Sequence, residues 1–176
     1  RTGERNIMQD PQSANRNALA ALMLAELAEG QGRFIDQLVN GLWHLSNSPS
    51  WVLSAHLPRQ KSRRSLPDPR EQLIDLGSGG LAAQVAVAWH FFHETFDKID
   101  PVISVVIQDA MKKQILDPYL NTEQYAPHWW LAFELKKGQV VNNWNPWCNA
   151  DVILCFLLME KDPVRLEHAL RQSARS

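Results

Sequence analysis

The chain has 176 residues, 45% of them apolar, which suits one core of ordinary size and argues against disorder. Its 18 basic and 19 acidic residues leave a formal charge of −1, which argues against a general binder of nucleic acid or of membrane surfaces. No signal peptide is visible and no apolar run reaches the ~18 residues of a bilayer span, so no membrane span is expected.

Six helices are predicted in chain order, and they alternate in character. The first, over about 14–29, reads "ALAALMLAELAEG", apolar on most sides and closed by Gly30. The second, about 32–47, carries Ile35, Leu38, Val39, Leu42 and Leu45 on one stripe. The third, about 81–96, is apolar nearly all round, in "LAAQVAVAWHFFHETF". The fourth opens with Asp100 as N-cap and Pro101 at the first helical position and runs to about 116. The fifth follows a short apolar strand at "VV", opens with Asn145 as N-cap and Pro146, and continues through "DVILCFLLM". The sixth opens with Asp162 and Pro163 and keeps only Leu166, Ala169 and Leu170 as its stripe.

A helix apolar all round needs cover on both sides, whereas a striped one can face water. Three hairpins, each of one inner and one outer helix, satisfy that pattern. The expected fold is therefore all-α, with helical hairpins forming an arc of an α/α toroid or an α-solenoid. Short turns lie near Gly30, Lys98 and Lys161. The long segments, about 48–80 and 117–144, would then meet at the opposite rim, and loops of that length are usually functional. The chain begins at Arg1 rather than Met and stops in what reads as mid-helix, so residues 1–176 are expected to be one domain of a longer protein.

Five of the seven tryptophans, Trp51, Trp129, Trp130, Trp144 and Trp147, fall in or beside the long loops. Indole faces cover the apolar faces of sugar rings, and amides or imidazoles bond to hydroxyls and carboxylates, so this rim predicts a carbohydrate cleft. Asn142, Asn143 and Asn145 lie beside a helix start, where amide donors can hold a carboxylate or simply satisfy the local backbone. His56 and His128 lie in the rim loops, where a histidine can act as a base. Tyr125 is a further acid or base candidate. The basic run "RQKSRRS" over 59–65 is either a solvated loop or an attractor of acidic polymers. Cys148 and Cys155, seven apart on one helix, would stand roughly 10 Å apart. That is too far for a disulfide, and no His or Cys lies at metal-ligand spacing, so neither metal nor cofactor is expected.

The stretch "NNWNPWCNADVILCFLLMEKDP" resembles the toroid domain of heparinase II/III-like and related alginate-lyase-like polysaccharide lyases. The resemblance extends to "EGQGRFIDQLVNGLWHLSNSPSWVLSAHLP", to "PVISVVIQDAMKKQILDPYL" and to the "HWW" ahead of the Asn pair. It implies an α/α toroid that binds an acidic, uronic-acid-containing polysaccharide or oligosaccharide and cleaves it by β-elimination. It also implies a periplasmic or extracellular setting and a C-terminal β-sandwich domain in the parent chain. In such lyases an Asn holds the uronate carboxylate, and Asn142 and Asn143 match it, but Trp144 stands where a histidine base would be. Indole offers only a donor. The resemblance therefore implies first a tyrosine base beyond Ser176, with His56, His128 and then Tyr125 as candidates within the chain. An alternative is a non-catalytic carbohydrate-binding or scaffold domain with a Trp-rich rim.

Overall fold

The computed structural model describes residues 4–125 and 128–176. Among these the fold is all-helical, without a strand. The long helices are α1 (Asn6–Glu29), α2 (Ile35–Ser46), α3 (Leu76–Ile99) and α4 (Val102–Met111). α4 runs on through a π-helical turn (Lys112–Leu116) into a last short turn, α5 (Asp117–Leu120). α6 (Trp144–Met159) and α7 (Pro163–Arg175) complete the chain.

Local chemistry sets these boundaries. Gly30 ends α1 at φ 65°, a left-handed conformation that suits a residue without Cβ, and its N–H bonds to the Glu26 carbonyl. The buried Glu26 carboxylate then accepts from the N–H groups of Gly32 (2.6 Å) and Phe34 (3.0 Å), which holds the α1–α2 turn. Asp100 accepts from Val102 N–H at 2.9 Å, and Asp162 caps α7 through Val164 N–H at 2.9 Å.

α3 is the centre of the packing. It touches α1, α4 and α6, while α2 lies on α4, and α7 on α5 and α6. Helices α1, α3 and α6 thus form one row, with α2, α4–α5 and α7 behind it. The main core runs from Leu38 and Leu42 through Ala82, Val85 and Phe96 to Ile107, Ile115, Val152 and Phe156.

The expected covering of the three apolar helices holds best for α3. In α1 only Leu19, Met23 and Glu26 are buried, and Leu24 and Leu27 are exposed. α6 exposes Trp147, Leu154 and Leu157 along one face. α1 and α6 therefore bury the sides that meet their neighbours and each leaves one face bare. The expected strand at 140–141 is corrected: Val140 and Val141 lie in an exposed loop with no partner strand among the described residues. α1 begins before Pro11, and α3 begins at Leu76, earlier than its apolar pattern suggests. Among the described residues no helix is long and apolar enough to cross a membrane.

Candidate functional site

The two long loops meet. Ile74 N–H donates to His128 Nε2 at 3.1 Å, and the Trp130 indole N–H donates to the Ile74 carbonyl at 3.0 Å. Lys61 Nζ donates to the Glu123 carbonyl at 2.6 Å. The first loop is pegged by Trp51, whose indole donates to the Leu45 carbonyl (2.8 Å) and whose backbone N–H donates to Gln114 Oε1 (3.1 Å).

From that loop a 3₁₀ turn, Leu57–Arg59, presents His56 and Arg59. His56 Nδ1 lies 2.6 Å from Oδ2 of Asp75. Asp75 is fully buried and also caps α3: Oδ1 accepts from Ser78 N–H (2.7 Å), and Oδ2 accepts from Leu53 N–H (3.0 Å). The Ser78 hydroxyl accepts in return from Asp75 N–H, closing a capping box. A carboxylate facing Nδ1 fixes the imidazole tautomer with its proton on that nitrogen, so Nε2 is the basic atom. Among the described residues Nε2 makes no hydrogen bond, and the side chain is 14% exposed.

The His56 ring meets the Trp144 indole edge-on, with centroids 4.8 Å apart. Trp144 in turn packs on Trp129 at 5.2 Å, and the Arg59 guanidinium lies 4.7 Å over Trp129 and 5.8 Å from Trp144. Trp129 is 43% exposed. Asn142 Oδ1 accepts from Trp144 N–H (3.0 Å), which leaves its amide N–H₂ as the free end, and Asn143 is exposed at the helix start with no side-chain cap bond. An open cavity of about 450 Å³ runs beside Trp129 and Asn142, with Glu134 and Gln139 on its wall.

The structure thus brings together His56, Trp129, Trp144 and Asn142, with Asn143 adjoining. Four other candidates are corrected by burial. Trp51 and Trp130 are pegs of the core with their indole N–H groups already bonded. Asn145 is no N-cap, because α6 starts at Trp144, two residues earlier than expected; its amide donates inward to the Trp130 carbonyl (3.0 Å) and to the Ser176 hydroxyl. His128 is buried, spends Nε2 on Ile74 N–H, and has its pKa lowered by burial to about 3. It is neutral at ordinary pH and has no lone pair left for a substrate. Trp147 is exposed, further along α6. Tyr125 is half-buried in the turn that follows α5, and its neighbours 126 and 127 lie outside the described residues.

A scan against protein-family models found no match, and neither did a search of curated proteins. Among the described residues no cluster of His, Cys, Asp and Glu has the geometry to hold a metal ion.

Two members of the site escaped the sequence reading. In the sequence Asp75 is one acid among several in the segment 48–80, although Asp followed three residues later by Ser is itself a capping signal. Arg59 was submerged in the basic run.

Proposed function

We propose that this chain is part of the α/α toroid of a polysaccharide lyase that binds a uronic-acid-containing polysaccharide and cleaves it by β-elimination. The observation that carries the reading is the 2.6 Å bond between His56 Nδ1 and buried Asp75, with the His56 ring against Trp144. In this reading His56 Nε2 removes the C5 proton of a uronate. The C5–H electron pair becomes the C4=C5 double bond, and the C4–O bond breaks. The imidazolium returns its proton to the departing oxygen, which becomes a new reducing end. Asp75 positions the ring and stabilises the cation as it forms. Asn143, the free amide of Asn142 and Arg59 take the uronate carboxylate, which makes the C5 proton acidic; Trp129 and Trp144 offer faces for sugar rings. A periplasmic or extracellular setting goes with this substrate. His56 replaces a tyrosine from outside these residues as the base.

The test is release of unsaturated uronate, read by ultraviolet absorbance, from a panel of acidic polysaccharides. General-base catalysis contributes about 10²–10⁴-fold, so His56→Ala should lose about that much. An unchanged rate in His56→Ala would remove His56 from the role, and new reducing ends without unsaturated product would mean hydrolysis. Binding without any turnover supports the second reading, a non-catalytic carbohydrate-binding domain, which the exposed indoles of Trp129 and Trp147 favour.

A further inference from the structure

Away from His56, an open cavity of about 280 Å³ lies where α4 and its π-helical turn meet the end of α6 and the start of α7. None of its lining residues belongs to the His56 cleft. Its volume is close to the lower end of the ~300–1,000 Å³ of small-molecule sites. Its apolar lining is Met111 and Leu116, both buried, and half-buried Met159. Its charged lining is unbalanced: three cations, Lys112, Lys161 and Arg165, stand against one acid, Glu160. That acid is already engaged. Glu160 Oε2 accepts from Arg165 Nε at 2.7 Å, and Oε1 accepts from Asp162 N–H at 3.0 Å. Arg165 Nη2 donates to Asp117 Oδ1 at 2.7 Å. Two carboxylates thus fix the guanidinium plane and leave Nη1 without a partner among the described residues. Lys112 and Lys161 are exposed, and their ammonium groups have no partner among the described residues either. Three cations against the two acids Glu160 and Asp117 leave a net charge of +1.

We propose that this cavity binds a small organic monocarboxylate with an apolar body of one or two rings. The apolar floor favours a hydrophobic body over a bare inorganic anion. The unpaired cations favour a negative charge at the other end of the ligand, and the net +1 matches a single one. Arg165 is the preset donor, because its plane is already held by Glu160 and Asp117. Lys112 and Lys161 come to the anion as flexible point charges from opposite sides, one on the π-helical turn and one in the link between α6 and α7. The π-helical turn itself forms one wall, since Lys112 and Leu116 are its first and last residues. Such turns are rare and recur at functional sites. The proposal does not rest on the uronate reading of the His56 cleft.

The experiment titrates the protein with naphthylacetate and with its neutral amide, naphthylacetamide, and follows the ring-proton NMR signals. The acid should bind about tenfold or more tightly than the amide, as one charge-assisted hydrogen bond predicts, and salt should narrow the gap. Lys112→Gln and Lys161→Gln change exposed side chains and leave the fold intact. Each should weaken the acid about two- to fivefold and leave the amide unchanged. Met159→Trp should fill the cavity and weaken both probes, with the helical circular-dichroism signal as the check on folding. Equal affinity for acid and amide overturns the anion site. Wild-type affinity for the acid in the Lys112→Gln/Lys161→Gln double variant, or in folded Met159→Trp, puts the probe elsewhere and overturns it as well. Absence of saturable binding by the acid overturns it outright.

Discussion

The two long loops are built from similar residues and come out differently. Each brings a histidine toward the seam, and each is pegged by a buried tryptophan, Trp51 in one and Trp130 in the other. In the loop over 47–75, polar side chains fold inward to hold the backbone. Gln60 bonds to the Arg64 and Leu66 carbonyls and to Asp68 N–H, and Gln72 bonds to the Pro49 carbonyl. In the loop over 121–143, every residue from 133 to 143 is exposed. The histidines mark the difference most clearly. His56 faces a carboxylate, which leaves Nε2 open; His128 faces a backbone N–H, which consumes Nε2 and makes the ring a core acceptor. What a loop histidine can do is set by the group opposite its first nitrogen, and its position in the loop decides little.

The largest test of this contrast is at the pegs. Trp130→Ala removes a fully buried indole and its bond to Ile74, which ties the loops together, and should cost about 3–5 kcal/mol in denaturant unfolding. A loss under about 1 kcal/mol would mean that the loops are held independently. His128 comes next. Its folded pKa, about 3, lies below the unfolded value near 6.5, so the neutral ring contributes fully above pH ~6.5 and its contribution is lost as pH falls toward 3. The slope in that window should approach roughly 1.4 kcal/mol per pH unit and flatten in His128→Gln when stability is followed against pH. Asp75→Asn should cost about 2 kcal/mol, since the amide cannot accept from Ser78, Leu53 and His56 together. It should also lower turnover in step with His56→Ala, and full activity in the amide variant would detach the carboxylate from the histidine's role. The smallest stability effects belong to the open face. Trp129→Ala and Asn143→Ala should shift unfolding by no more than ~0.5 kcal/mol. Trp129→Ala should weaken oligosaccharide binding several-fold, and Asn143→Ala should slow turnover roughly 10- to 100-fold. A lowered melting temperature with unchanged kinetics in Asn143→Ala would make that residue a structural cap.

The helical fold and the meeting of the loops were legible because both follow from apolar periodicity and connection length. The start of α3 was not. "GSGG" reads as a loop because glycine is a poor helix former, yet tertiary contact demands it here. A Cβ on Gly77 would stand 2.7 Å from Leu53 Cγ, and Gly79 makes room for Asp151. The aromatic rim was legible only in part. Sequence places Trp129 and Trp130 side by side but cannot say that Trp130 points at Ile74 while Trp129 turns out to Arg59. The partner of His56 lies 19 residues away, and nothing local announces it.

The π-helical turn at Lys112–Leu116 works as a phase shifter. An α-helix advances about 100° per residue, and a wider turn that takes in one more residue rotates everything beyond it by about that angle. Before the turn the rod shows Ile103, Ile107 and Ala110 to the core beside α2 and α3; after it, Tyr119 points to α6, where its hydroxyl donates to Asn149 at 2.7 Å. One continuous rod can therefore serve two sets of neighbours without a break. Removing a single residue between 112 and 116 would restore an unbroken α-helix and swing Tyr119 away from Asn149. At that point in the chain, length itself carries structural information.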